Sequence, residues 1–155
     1  MLSYEPAKPE QYDEFLELMR DEASEYLEHT LELIQMTWQQ FSQAFKTVGR
    51  VYGIYEDDQL TGFYWIEERG SVLHLHGIVL KSQFQGKGIG THVLEMLATK
   101  YKSSMDTIEL GVHESNEGAK RLYERLGYQT VKTLDDVGFY IMQKPLSEGP
   151  SSNTA

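Results

Sequence analysis

The chain has 155 residues, 40% hydrophobic and 25% charged, which suits a single globular domain over 1–146 followed by a disordered tail over 147–155. It holds no cysteine, so disulfides, thiolate metal sites and a cysteine nucleophile are excluded together. With 14 basic and 24 acidic residues the net charge is −10, which opposes nucleic acid and anionic membranes; with no membrane-length apolar run and no basic-then-apolar leader, the expected compartment is the cytoplasm.

In chain order, residues 2–6 read as a short strand ending at Pro6. A helical stripe then runs from Tyr12 through Phe15, Leu16, Met19, Ala23, Tyr26 and Leu27, and on through Leu31, Ile34, Trp38, Phe41 and Phe45. It predicts two helices, about 9–27 and 31–46, with a break near His29–Thr30; one long helix is the alternative, and Gly49 ends the region. Val51–Tyr55, Leu60–Glu67 and Val72–Leu80 read as a three-strand meander, turned at Asp57–Gln59 and Arg69–Gly70. After a glycine-rich loop, Ile89, Val93, Leu97 and Tyr101 mark a helix, and Thr107–Val112 a strand. Ala119, Leu122, Tyr123 and Leu126 form a short helix capped by Gly127, and Tyr128–Leu134 with Phe139–Lys144 close the chain as a hairpin. The sum is a mixed α/β fold with a largely antiparallel sheet and one helical crossover.

Charge is unevenly spread. Residues 1–46 hold ten acids against Lys8, Arg20 and Lys46, whereas residues 81–102 hold four lysines against Glu95. The basic island can receive a small anion and the acidic third can attract a cation, although solvated helix faces are the plainer explanation of the acids. The loop Gln85-Gly86-Lys87-Gly88-Ile89-Gly90 lies in the basic island. Its glycines permit a tight turn, and the following helix offers unsatisfied N–H groups and a positive dipole end, which together suit a phosphate. A Walker A loop needs Lys followed by Ser or Thr, and here Gly88 follows Lys87; the dinucleotide fingerprint from Gly86 ends on Thr91 instead of glycine. A plain strand-to-helix turn remains the competing reading.

Gln85, Gly88 and Gly90, as Q-x-x-G-x-G, resemble the acetyl-CoA motif of the GNAT family of N-acetyltransferases. Asn116, Ala119, Tyr123 and Gly127, within N-E-G-A-K-R-L-Y-E-R-L-G-Y, resemble a second motif of that family at its usual separation. The strands before each motif, L-H-L-H-G-I-V-L and T-I-E-L-G-V, are present too. The resemblance covers residues 50–144; over 1–46 it amounts to two helices of suitable length. One departure is Tyr128, where the family more often has Phe. The resemblance implies a GNAT-like α+β fold: a mostly antiparallel sheet of six to seven strands with a splayed parallel pair, flanked by about four helices. It implies an acyltransferase using acetyl-CoA as co-substrate and no metal. The pyrophosphate would be cradled by the backbone of Gly86, Lys87, Gly88, Ile89, Gly90 and Thr91. The pantetheine arm would pair with the backbone of Ile78, Val79 and Leu80 and contact Asn116.

Acetyl transfer to an amine requires a deprotonation. An alkyl ammonium with pKa ~10.4 is only about 0.1% neutral near pH 7.4, a cost of about 4 kcal/mol unless the site removes the proton. His74 and His76, two residues apart on a strand, point to one face, and a histidine suits proton relay at neutral pH. Two polar residues on the open side of a half-buried strand is the bland alternative. A His-x-His metal site of the cupin kind would need a glutamate a few residues further on, and none occurs between Glu68 and Glu95. His-Leu-His, eleven residues before Gln85, is similar to the arylalkylamine (serotonin) N-acetyltransferase branch, which makes both histidines candidate bases, directly or through water. Tyr123 occupies the family's acid position and could protonate the leaving thiolate; a core aromatic is its other reading. Without cysteine, direct attack in a ternary complex is the simplest course, with backbone N–H groups near Val79 holding the developing oxyanion. His29, His92 and His113 read as structural.

For the acceptor, Asp21, Glu22, Glu25 and Glu28 stand among the aromatics Tyr26 and Trp38. Tyr26, Glu25 and Trp38 are therefore candidate acceptor-binding residues for a small cationic amine. An N-terminal or lysine amine of a protein or peptide is the alternative acceptor. A non-catalytic acyl-CoA-binding module is the alternative of another class. A homodimer stays open.

Overall fold

The structure, a computed structural model, describes residues 1–146; the expected tail over 147–155 lies outside the described residues. Among the described residues the elements are β1 (Leu2–Pro6), α1 (Gln11–Glu22), α2 (Ser24–Ile34), α3 (Trp38–Thr47), β2 (Arg50–Glu56), β3 (Gln59–Arg69) and β4 (Val72–Leu80). A 3-10 turn (Ser82–Phe84), α4 (Ile89–Lys100), β5 (Thr107–His113), α5 (Glu117–Arg125), β6 (Gln129–Leu134) and β7 (Phe139–Pro145) follow. The seven strands lie in the order β1-β2-β3-β4-β5-β7-β6. The β4–β5 pair is parallel, and β1–β2, β2–β3, β5–β7 and β6–β7 are antiparallel. This is the mixed α/β fold expected. No helix among the described residues is long and apolar enough to cross a membrane.

The helical third differs from expectation. Thr30 lies inside α2, and the chain breaks at Ala23 and at Gln35–Thr37, giving three helices instead of two and five in total instead of about four. At Ala23 one residue leaves helical geometry (φ −132°, ψ 33°) while its N–H still reaches the Met19 carbonyl at 2.9 Å. At the second break Gln35 turns left-handed (φ 54°), and Thr37 restarts the helix with a capping box. The Gln40 N–H donates to Thr37 Oγ1 at 3.1 Å, and the Thr37 N–H donates to Gln40 Oε1 at 3.0 Å.

The described chain forms two compact units. The first comprises Met1–Glu67 and His76–Ile89. Its core gathers Phe15, Leu16, Met19, Leu27, Phe41, Phe45, Val51, Phe63, Trp65 and Val79. Phe45 stands edge-on to both Phe63 (5.5 Å) and Trp65 (5.0 Å) and is 1% exposed. Removing such a ring costs about 3–5 kcal/mol. Gly62 lets β3 and β4 approach closely: a Cβ there would strike the Val79 carbonyl oxygen and come within 2.8 Å of the Leu80 Cα. The Lys81 N–H donates to the Thr61 carbonyl at 2.8 Å, so the far end of β4 is fixed against β3.

The second unit comprises, among the described residues, Glu68–Leu75 and 90–146. Leu73 and Leu75 of β4 and Ile108, Leu110 and Val112 of β5 are buried at every second position, with Val93, Leu94 and Leu97 of α4 and Phe139 and Met142 of β7. The β4–β5 register runs from Val72↔Thr107 to Leu75↔Leu110; beyond it β4 belongs to the first unit, while β5 continues against β7 to His113. Gly127, left-handed at φ 101°, ends α5, and the Tyr128 N–H returns to the Tyr123 carbonyl at 2.9 Å.

Candidate active site

The glycine loop owes its shape to backbone conformation. Gly86 and Gly88 take φ 74° and 83°, a region L side chains rarely adopt, and a Cβ on either would meet no heavy atom within 4 Å. Glycine is therefore required here by torsion and not by crowding. Left-handed glycines ahead of a helix turn successive N–H groups toward one side, a concavity that suits an anion. Lys87 between them is exposed, and Gly90 and Thr91 lie in the first turn of α4. Gln85 plays a bracing role: its Nε2 donates to the Leu80 carbonyl at 2.9 Å and to Glu22 Oε1 at 3.0 Å, tying the loop to the end of β4 and to α1. Ile78 and Leu80 are half-buried and Val79 is buried in the first unit's core.

His76 also belongs to the first unit. Its Nε2 lies 2.8 Å from Glu67 Oε1, and its ring stacks on Trp65 at 4.1 Å and 25°. Trp65 is held in turn by its Nε1–H donating to the Val48 carbonyl at 2.8 Å. The Tyr26 hydroxyl donates to the His76 main-chain carbonyl at 3.4 Å, and burial pushes that phenol's pKa above the ordinary tyrosine value. Of the other candidate acceptor residues, Glu25 is exposed in the first turn of α2. Trp38 stacks on Phe41 at 6.0 Å, with the Arg20 guanidinium 4.8 Å from its ring centroid.

In the second unit, His74 Nδ1 lies 2.8 Å from Glu109 Oε1, and Gln143 Nε2 donates to Glu109 Oε2 at 2.8 Å. Burial raises the Glu109 carboxyl, but the hydrogen bonds from Gln143 and His74 and the charges of His74 and Arg69 outweigh it, so the net shift is downward. Asn116 caps α5, its Oδ1 accepting from the Ala119 N–H at 3.1 Å. Tyr123, on α5, is half-buried with its ring 5.9 Å from that of Tyr128. Of the histidines read as structural, His113 is bound locally: the Ser115 N–H donates to its Nδ1 at 3.2 Å.

The residues missed by the sequence reading are the carboxylates behind the histidines. Trp65 and Glu67 stand two apart on β3, a spacing that puts both on the face that meets His76, but that neighbour is invisible until the strands are paired. Glu109 and Gln143 fall opposite their partners for the same reason, in the registers His74↔Glu109 and Glu109↔Gln143. The capping box at Thr37–Gln40 was, by contrast, present in the letters T-W-Q-Q. The first unit holds the left-handed glycines Gly86 and Gly88 and the His76–Glu67 pair; the second holds the His74–Glu109 pair and Tyr123. Among the described residues no three His, Asp or Glu side chains gather into a metal-binding group.

The sequence pattern of the acetyltransferase (GNAT) family matches residues 12–128. The spermine/spermidine N(1)-acetyltransferase of Bacillus subtilis (strain 168) is 32% identical over 103 residues, 62% of this chain and 60% of that protein. An N-alpha-acetyltransferase of Sulfurisphaera tokodaii is 35% identical over 80 residues, 47% of this chain and 48% of its own length. The chain thus spans about 60% or less of these curated relatives. The crystal structure of a PaiA N-acetyltransferase from Thermoplasma acidophilum in complex with coenzyme A superposes with a TM-score of 0.69 at 19% identity, covering 94% of this chain and 99% of that one, and is a likeness of fold.

Proposed function

Because the chain belongs to the acetyltransferase (GNAT) family, we propose that it moves an acetyl group from acetyl-CoA to a primary amine. The observation that carries the reading is the loop of two left-handed glycines leading into α4, joined to a family match that spans it. When bound, the co-substrate supplies an electrophilic thioester carbon and a thiolate leaving group. The main chain from Gly86 to Thr91 holds its pyrophosphate, and the backbone of Ile78, Val79 and Leu80 aligns its pantetheine arm. The oxygen of Asn116 is committed to capping α5, so a pantetheine contact there uses its Nδ2. His74 and His76 are the candidates to remove the ammonium proton, directly or through water. The neutral amine then attacks the acyl carbon, the N–H near Val79 steadies the oxyanion, and Tyr123 gives its proton to the departing sulfur.

The preferred acceptor is a small cationic amine, and the enzyme works in the cytoplasm, alone or as a homodimer. Two points support this acceptor: the similarity to an enzyme named for spermine and spermidine, and exposed acids (Asp21, Glu22, Glu25, Glu28) beside Tyr26 that would draw a cation. The similarity to a protein named as an N-alpha-acetyltransferase keeps a protein or peptide amine as the second reading.

An acceptor screen reading free CoA thiol decides. Turnover with polyamines or aralkylamines supports the first reading, and turnover only with peptides the second. Calorimetric binding of acetyl-CoA with no turnover on any amine would leave a non-catalytic binding module. Absence of binding as well ends the proposal.

A further inference from the structure

Two histidines compete for one role, and their surroundings differ. His74 faces Glu109 in direct parallel register, Glu109 faces Gln143 in antiparallel register, and both Glu109 oxygens are engaged at 2.8 Å. That row ties β4, β5 and β7 together at one level, with the charge of Arg69 adding to the pull on the carboxylate. It has the form of a cross-strand clamp.

His76 is held in another way. Glu67 Oε1 meets Nε2 at 2.8 Å, Trp65 covers the ring at 4.1 Å, and Trp65 is pinned by its own hydrogen bond to Val48. The side chains of His76 and Glu67 are 19% and 26% exposed, sheltered enough for the pair to matter yet open to proton exchange. The titratable groups that meet His76 include Glu67 from β3 and Tyr26 from α2 at the main-chain carbonyl; His74 stands two residues earlier on β4.

Resting on the acetyl-transfer reading, we infer that Glu67 is the positioning residue for His76 and that His76, not His74, takes the acceptor's proton. An ionised carboxylate can only accept, so Nε2 carries the hydrogen and the ring's lone pair sits on Nδ1. The ammonium N–H bond breaks as the Nδ1–H bond forms. The freed electron pair on nitrogen attacks the acyl carbon, and the imidazolium is balanced by Glu67 until it releases the proton to solvent.

The test is the pH profile of kcat/KM with an amine acceptor. The base must be neutral to act, and an anionic neighbour favours the imidazolium, so Glu67 holds the acidic limb at higher pH. Glu67→Gln is expected to move that limb down by about half a pH unit or more. The same variant is expected to lower plateau kcat about tenfold or more, because the tautomer is no longer enforced. Acetyl-CoA affinity by calorimetry stays near wild type. Glu109→Gln leaves the limb in place, and Glu67→Asp recovers part of the plateau. A limb that does not move in Glu67→Gln, or that moves equally in Glu109→Gln, overturns the inference. If Glu67→Gln fails to fold, or wild-type protein acetylates no amine, 15N NMR of the wild-type imidazoles decides. A neutral His76 protonated on Nε2 supports the pairing with Glu67, and one protonated on Nδ1 overturns it. Absent turnover with the Nε2 tautomer seen marks failure of the acetyl-transfer reading and, with it, of the proton-accepting role, while the pairing stands.

Discussion

His74 and Glu109 sit opposite each other in the only parallel strand pair among the described residues, Nδ1 to Oε1 at 2.8 Å. The hydrogen bond reaches between strands that no short turn connects, so it joins segments 35 residues apart. Glu109 is the group whose folded-state pKa is depressed, despite the upward push of burial. A depressed carboxyl contributes stability above its unfolded pKa and loses it as pH falls through the folded value. Glu109→Gln is therefore expected to lower stability at pH 7 by about 1 kcal/mol. The deficit should shrink as pH falls through the depressed folded-state pKa, where the wild-type group protonates too. Urea unfolding of both proteins at pH 7 and through an acid pH series measures it; a deficit independent of pH contradicts the charge-based account.

Tyr123→Phe keeps the ring and removes the hydroxyl proposed as the acid. With the thiolate left unprotonated, kcat is expected to fall by ~10²-fold. The dissociation constant for acetyl-CoA should stay nearly unchanged, because none of the contacts proposed for the pyrophosphate and pantetheine uses the Tyr123 hydroxyl. Thiol-release kinetics beside calorimetry separates the two effects, and an unchanged kcat removes the phenol from the reaction.

At Gly88, φ is 83° and a Cβ would meet no heavy atom within 4 Å, so substitution costs torsional strain alone. Gly88→Ala is expected to cost about 1–2 kcal/mol. Acetyl-CoA affinity should weaken as well, since relaxing the strain swings the N–H groups out of line. Gly88→Asn, a residue that tolerates the left-handed region, should retain more of both. Equal losses in the two variants would point to the side chain's bulk instead. Gly62→Ala makes the contrast, since its Cβ would meet the Leu80 Cα at 2.8 Å, and the larger loss is expected there.

Tyr128 is 2% exposed, and its hydroxyl is buried with no hydrogen-bond partner among the described residues. Burial, helped by the nearby Tyr123, drives its ionisation well above the ordinary tyrosine range. An unpartnered buried hydroxyl is a cost to the fold. Tyr128→Phe, the residue the family more often carries, is expected to leave stability unchanged or raise it by about 1 kcal/mol, with kcat unaltered. Thermal unfolding reads the first and steady-state kinetics the second; clear destabilisation would mean that the hydroxyl has a partner, such as a bound water.

Local physics wrote most of the outline into the residue order. Alternation of apolar residues marked Val72–Leu80 to the residue, and the glycine punctuation at Gly70, Gly86, Gly88 and Gly127 fell where the backbone takes positive φ. The left-handed turns of Gly86 and Gly88 and the place of Tyr123 on a short helix were likewise readable, because each depends on a few neighbouring residues acting within one turn. The helical third was misread where the stripe of apolar residues ran on through its breaks. Apolar spacing reports which side faces a core, and three helices packed on one core show the same stripe as two.

What remained hidden were pairings between residues distant in sequence. Glu67 behind His76, Glu109 and Gln143 behind His74, and Trp65 under the imidazole have no signature of their own, since a glutamate on a strand is ordinarily solvent-facing. Strand register decides which side chain lies across from which, and it is set by the whole sheet and its core together. Residue order thus names the groups, left-handed glycines, two imidazoles and a phenol, while the folded chain assigns each imidazole its carboxylate.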